Sequence, residues 1–87
     1  MNKYLVEFLG TMMLSFVIFA TGNYLAIGAT LALAIFLGGA ISGGIFNPAI
    51  TIAMMFADQI SHGDLMPYII AQIAGGVMGY EVVRNFM

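Results

Sequence analysis

The feature that most restricts the fold of this chain is a polar, glycine-rich interruption between apolar segments. It covers residues 42–51 and reads SGGIFNPAIT. The apolar segments around it are long enough to cross a bilayer. Irregular backbone at membrane depth is tolerated only where protein buries it or where it lines a water-filled cavity. The interruption therefore predicts a pore.

Composition places the chain in a membrane. Of its 87 residues, 62% are hydrophobic and 7% are charged, and a soluble domain of this size has no core that hides so much apolar surface. The net charge of −2 argues against a nucleic-acid partner, and the lack of cysteine excludes disulfide bonds. The apolar start after Lys3 imitates a signal peptide, but we expect no soluble domain behind it. We interpret residues 1–87 as one membrane domain.

Three apolar spans and one short helix account for the whole chain. The spans are Tyr4 to Thr21, Leu25 to Ile41, and Pro67 to about Val83. Residues 22–24 are predicted to form a turn, and residues 58–64 form the one clearly polar loop. Gly75 and Gly79 lie four residues apart, a spacing that favours close helix packing in lipid, although glycine is also common in membrane helices generally.

The short helix runs from Pro48 to about Ala57, which limits its reach. About ten residues rise roughly 15 Å, whereas the hydrocarbon core is roughly 30 Å thick. We expect this helix to begin at mid-membrane and to return to the side where the second span ended. The predicted fold is an all-α membrane protein with three transmembrane helices and one re-entrant half-helix.

The start of the half-helix carries the chemistry. Asn47 and Pro48 are favoured N-cap and first helical residues, and the Asn47 amide keeps an NH2 group that can donate into a pore. The partial positive charge of the helix N-terminus opposes cations. The carbonyls of four preceding residues are predicted to form a ladder of acceptors, namely Gly43, Gly44, Ile45 and Phe46. The alternative is a capped, buried helix without a pore.

These motifs resemble the aquaporin (major intrinsic protein) family, and its glycerol-conducting members in particular. Residues 42–51 are similar to that family's first-half signature, in which Ser-Gly-Gly leads into Asn-Pro-Ala, here Asn47, Pro48 and Ala49. Residues 7–11, EFLGT, resemble the motif of its first helix, and residues 68–76, YIIAQIAGG, the motif of its third helix. The likeness covers essentially the whole chain, as one half-aquaporin repeat. It implies a passive channel and no enzyme or cofactor.

The departures from the family pattern concern the constriction. A family member has two Asn-Pro-Ala half-helices and an arginine after the second, whereas this chain has one such motif followed by Ile50. By offset from Asn47, the resemblance places constriction residues at Ile27, Ile35, Gly44 and Ile50. An isoleucine-lined constriction offers few hydrogen bonds to water, which favours glycerol-like solutes or closes the pore altogether.

Two polar residues inside the spans are candidates for holding the irregular segment. The resemblance implies that the Glu7 carboxylate accepts hydrogen bonds from the re-entrant loop; the alternative is that Glu7 snorkels to the membrane edge. Gln72 is predicted to support the same loop. His62 is interpreted as a solvated loop residue, and no nucleophile–base pair, phosphate loop or metal-ligand cluster is visible.

One half-helix leaves the predicted pore incomplete, which points to a partner. A second copy in the inverted orientation would bring two Asn47 tips together, as in the inverted repeats of other transport proteins. Lys3 and Arg84 lie on opposite sides, so the positive-inside rule gives almost no bias and dual topology is expected. We predict an inverted homodimer in lipid, or a higher oligomer such as four dimers, that passes water or glycerol-like solutes. The alternatives are half of a heteromeric channel and a non-conducting membrane protein.

Overall fold

A computed structural model describes all 87 residues and shows that the protein consists of four α-helices. The helices are α1 (Lys3–Thr21), α2 (Tyr24–Ser42), α3 (Pro48–Phe56) and α4 (His62–Phe86). The all-α prediction is confirmed. Of the four helices, α1 and α2 are long and apolar enough to cross a membrane.

Caps explain where the first two helices begin and end. The Asn2 side chain accepts hydrogen bonds from the first turn of α1, and Gly22 ends that helix in the left-handed conformation with φ of 59°. Asn23 then caps α2, its Oδ1 accepting from the backbone N–H groups of Leu25 and Ala26. The predicted turn is therefore one residue too long, because Tyr24 is already helical.

The start of α4 corrects a larger error. We predicted a polar loop over residues 58–64 and a third span from Pro67, but the helix begins at His62. The Ser61 hydroxyl accepts from the backbone N–H of Asp64 at 3.3 Å, which is a helix N-cap. Pro67 is accommodated inside the helix, where it removes one backbone hydrogen bond. The loop between α3 and α4 comprises residues 57–61.

Helices α1 and α4 run parallel and pack closely through glycine. A Cβ atom at Gly75 would overlap the Phe8 carbonyl, and one at Gly79 would lie 2.5 Å from the Met12 carbonyl oxygen. The Ser15 hydroxyl donates to the Gly76 carbonyl at 2.6 Å. At the start of both helices Lys3 Nζ lies 2.7 Å from Asp64 Oδ2. The Gly75/Gly79 spacing thus serves the close helix contact that it predicted.

The chain by itself buries little of its surface. Fifteen of 87 residues are buried, and six of them are polar or charged. Large apolar side chains such as Phe36, Ile70 and Val77 are exposed. Lipid or further protein is needed to cover these apolar faces.

Candidate functional site

The irregular segment, residues 43–46, joins the end of α2 to the start of α3 and has three of its four residues in the left-handed conformation. The φ angles are 94° at Gly43, 63° at Gly44 and 54° at Phe46. Glycine adopts this region freely. Phe46 does not, since the left-handed conformation costs about 1–2 kcal/mol for a residue with a Cβ atom. Something else in the structure must hold Phe46 there.

Every backbone N–H of the irregular segment is paired inside the chain. The Gly43 N–H donates to the Gly39 carbonyl at 2.8 Å, and the Gly44 N–H to the Ser42 hydroxyl at 3.2 Å. The N–H groups of Ile45 and Phe46 both donate to the Glu7 carboxylate, at 3.1 and 2.7 Å. The donors of this segment therefore point into the protein.

The carbonyl groups of the same four residues, unlike the N–H groups, have no hydrogen-bond partner in the chain. None of them accepts a hydrogen bond from any group of the chain. The carbonyl before them does: Ser42 O accepts from the Tyr68 hydroxyl at 2.6 Å. A peptide carbonyl in a low-dielectric environment needs a donor, so residues 43–46 present a row of four acceptors that something outside this chain must satisfy.

Asn47 adds donors at the end of that row. Its Oδ1 accepts from the N–H groups of Ala49 and Ile50, at 2.8 and 3.3 Å, and so caps α3. Its Nδ2 and its backbone N–H donate to no group of the chain, and the residue is exposed. The tip of α3 therefore offers free donors next to free acceptors.

A buried polar cluster holds the irregular segment in place. It comprises Glu7, Ser42, Thr51, Tyr68 and Gln72, all of them buried. The Glu7 carboxylate also accepts from Ser42 Oγ at 2.6 Å and from Gln72 Nε2 at 2.8 Å. Gln72 Nε2 also donates to Thr51 Oγ1 at 2.8 Å, and Thr51 donates to the Asn47 carbonyl at 2.8 Å. All four helices contribute to this cluster or to its hydrogen bonds.

A pocket leads to the irregular segment from the end of the bundle that carries the polar loop. Its volume is about 310 Å³, and its lining includes Ser42, Gly43, Ile45, Asp64 and Tyr68. The Lys3 ammonium beside Asp64, followed by the Tyr4 hydroxyl, holds the pKa of that carboxyl below its ordinary value of about 3.8. Asp64 is therefore ionised at neutral pH at the rim of the pocket.

The isoleucines assigned to a constriction are only partly brought together. Ile35 lies against Gly44, since a Cβ atom added at Gly44 would be 3.3 Å from the Ile35 Cα atom. Ile50 is exposed beside the tip of α3. Ile27 lies eight residues before Ile35 on α2, a rise of about 12 Å. Their part in a constriction remains a prediction.

Comparison with known proteins identifies the family. The sequence model of the family described as "Major intrinsic protein" matches residues 21–87. A relative named "Glycerol uptake facilitator protein-like 6" from Lactiplantibacillus plantarum is 47% identical over 96 aligned positions, which cover 100% of this chain and 44% of the relative. The chain belongs to the major intrinsic protein family. It is an integral membrane protein, and members of this family are channels and not enzymes.

Other major intrinsic proteins are also matched by this chain over only part of their own length. A protein named "Aquaporin Z" from Photorhabdus laumondii is 36% identical over 95% of the chain and 42% of its own length. A rice protein named "Probable aquaporin PIP2-7" is 33% identical over 69% of the chain and 21% of its own length. The chain spans less than half the length of these relatives. No solved structure gives a significant match.

Sequence reasoning missed three members of the polar cluster in this major intrinsic protein. Ser42 and Thr51 were read only as parts of the motif, and Tyr68 only as part of a family pattern. One available signal was the spacing of Glu7, Thr11 and Ser15, which recur every four residues and lie on one face of α1. That polar stripe faces α4 and indicates a polar helix contact, whereas the bond from Tyr68 to Ser42 joins distant segments and leaves no local pattern.

Proposed function

We propose that this chain is half of a channel for water and small neutral solutes such as glycerol, completed by a second copy inserted in the opposite orientation. Membership of the major intrinsic protein family supports the channel. The relatives named as a glycerol uptake facilitator and as aquaporin Z support this class of solute. Because the chain spans less than half of these relatives, the completed channel needs a second half.

One observation carries the proposal: the irregular segment pairs its backbone donors inside the chain and leaves its backbone acceptors unpaired. All of its donors are paired inside the chain, and the four carbonyls of residues 43–46 are free. Asn47 adds a free amide NH2 beside them. A water molecule or a hydroxyl group both donates and accepts, so it can pass from carbonyl to carbonyl and then accept from Asn47.

The helix lengths support a re-entrant arrangement in the bilayer. The nine residues of α3 rise about 13.5 Å, less than half of a hydrocarbon core of roughly 30 Å. The 25 residues of α4 rise about 37 Å, enough for a third crossing alongside α1 and α2. In this arrangement α3 begins near mid-membrane, where its N-terminal partial charge opposes cations.

The charges support insertion in both orientations. Lys3 is paired with Asp64 at one end of the bundle, and Arg84 is paired with Glu81 at the other. Each side of the membrane thus carries one basic residue, and the positive-inside rule has almost no difference to act on. Two inverted copies would place their Asn47 tips together, and such dimers can assemble further, for example as four dimers.

The proposed solute preference follows from the residues around the N-terminus of α3. The position after Asn-Pro-Ala is Ile50, and Ile35 lies beside Gly44. The path beside each α3 tip is then apolar and lacks an arginine. We propose that the channel admits glycerol as well as water, and that the paired α3 termini form its main barrier to cations.

Stopped-flow permeability of proteoliposomes made from the chain alone tests this function. We expect water and glycerol fluxes above the lipid background that Asn47→Leu abolishes, since this change removes both the cap and the free donor. Gly28→Ala is the matched control, because a Cβ atom at Gly28 meets nothing within 4 Å. Folded protein without flux would contradict the proposal and would favour a non-conducting membrane protein or half of a heteromeric channel.

A further inference from the structure

The side chain of Phe46 occupies a notch at Gly10 on α1 and lies against Gly38 on α2. A Cβ atom at Gly10 on α1 would lie 2.5 Å from Cζ and 2.7 Å from Cδ1 of the ring, and closer still to Cε1. A Cβ atom at Gly38 on α2 would lie 3.7 Å from the same Cζ and 2.6 Å from Val6 Cγ1. Phe46 is 4% exposed. Its ring fits only because Gly10 lacks a side chain, whereas the contact with Gly38 is an ordinary one.

Phe46 is held from two sides at once. Its N–H donates to Glu7 Oε1 at 2.7 Å, and its ring is fixed between α1 and α2. Its φ of 54° is unfavourable for a residue with a side chain. Glycine at this position would relieve that strain, as Gly43 and Gly44 do nearby. The aromatic ring must therefore have a role other than allowing this backbone conformation.

The residue's position in the chain shows what that role is. The free carbonyl of Phe46 is the last acceptor of the row, and the next residue, Asn47, carries the free donors. Because the ring packs against both helices, it fixes the peptide group that joins the acceptor row to the donor. A displacement of this group would change the spacing between the last acceptor and the first free donor.

We infer that Phe46 is a positioning residue, whose ring, seated against Gly10 and Gly38, aims the last carbonyl and the Asn47 amide and so sets the solute preference. This inference rests on the proposed function. It goes beyond the hydrogen bonds of Glu7, because these hold only the N–H side of the segment. Ring volume, rather than hydrogen bonding alone, then determines where the polar groups of the path stand.

The structure offers a way to displace the ring without removing it. An apolar pocket of about 240 Å³ lies between α1 and α2, lined by Leu9, Met13, Ala34 and Leu37 and by Phe46 itself. In Gly10→Ala the added methyl group overlaps the ring, and the ring can move into this pocket. Leucine at position 46 lacks Cε1 and Cζ, the two ring atoms closest to the added methyl group. Phe46→Leu should therefore relieve most of the overlap and bring the backbone close to its original placement in the double variant.

The test compares Gly10→Ala, the double variant Gly10→Ala/Phe46→Leu, and the control Gly28→Ala. One readout is the NMR signal of the Phe46 carbonyl and of the Asn47 side-chain amide in micelles. The other is the ratio of glycerol to water permeability in proteoliposomes. We expect Gly10→Ala to shift both signals and to change the ratio by roughly two- to tenfold, as the weakening of one hydrogen bond would. The double variant should recover both, and the control should change neither.

The outcomes separate this inference from the proposed function. If Gly10→Ala lowers both fluxes equally and leaves the two signals in place, the ring is only a packing element and the inference is wrong. If the wild-type chain carries no solute but the signals shift and recover as expected, the channel proposal fails and the positioning role stands. Phe46→Gly adds a second check. Relief of backbone strain alone would leave the Asn47 signal unchanged, whereas loss of the ring as an anchor would broaden or move it.

Discussion

Replacing Glu7 with glutamine should free part of the irregular segment while preserving the shape of the side chain. The carboxylate accepts two hydrogen bonds on each oxygen: from Ser42 Oγ and Ile45 N on Oε2, and from Phe46 N and Gln72 Nε2 on Oε1. In Glu7→Gln one of these oxygens becomes an NH2 group, which donates instead of accepting.

The orientation of the new amide sets the magnitude. With NH2 on the Ser42 side, the Ser42 hydroxyl can turn towards the Gly38 carbonyl, 3.4 Å away, and the Ile45 N–H alone loses its acceptor. With NH2 on the Phe46 side, two donors lose theirs. An unpaired buried donor costs about 1–3 kcal/mol, so the protein should take the first orientation and lose about 1–3 kcal/mol of stability.

Two measurements check this value. Hydrogen exchange followed by NMR in micelles should show faster exchange at the Ile45 amide, and titration with denaturing detergent should show the loss of stability. Glu81→Gln is the matched control, since Glu81 lies in an exposed pair with Arg84 and should change stability by at most about 0.5 kcal/mol. If Glu7→Gln is no more destabilising than this control and Ile45 stays protected, the carboxylate does not hold the segment.

Three further predictions concern packing, capping and pH. Gly75→Ala should destabilise the protein by about 1–3 kcal/mol through overpacking against α1. Gly76→Ala should not, because its Cβ atom would meet only an ordinary contact at 3.9 Å. Thermal unfolding in micelles compares these two variants. Asn47→Leu should lose about 1 kcal/mol of stability with its cap, measured in the same way, and a neutral result would contradict the capping geometry. The Asp64–Lys3 pair should stabilise the fold above the ordinary carboxyl pKa of about 3.8 and lose that contribution as pH falls through the lower folded-state pKa. Stability of wild type and Asp64→Asn should therefore converge in acid, and a difference unchanged by pH would refute this.

Much of the architecture can be read from local sequence. The apolar lengths, the turn at residues 22–24 and the Asn47 cap predict the ends of α1, α2 and α3 to within a residue or two. The error at α4 arose because Pro67 looked like a helix start, while Ser61 followed three residues later by Asp64, itself a cap signal, was overlooked.

What sequence could not predict is the three-dimensional reason for Phe46. A left-handed phenylalanine has no local signature, because its ring is accommodated by Gly10, which lies 36 residues before it. Its bond to Glu7 likewise spans 39 positions. Such contacts depend on how α1 and α2 pack, which periodicity alone does not determine.

The central claim, a pore formed by two inverted copies, is tested most directly by the sidedness of one residue in cells. The chain has no cysteine, so Phe86→Cys, at the exposed end of α4, gives a single thiol for a membrane-impermeant maleimide. We expect about half of the protein to react in intact cells and the rest only after permeabilisation, because one basic residue on each side gives no orientation bias. Adding lysines at His62 and Gly63, which are exposed, should make the labelling one-sided and should reduce or abolish the flux. Labelling of all or of none of the Phe86→Cys thiols in intact cells, without the added lysines, would contradict the inverted homodimer.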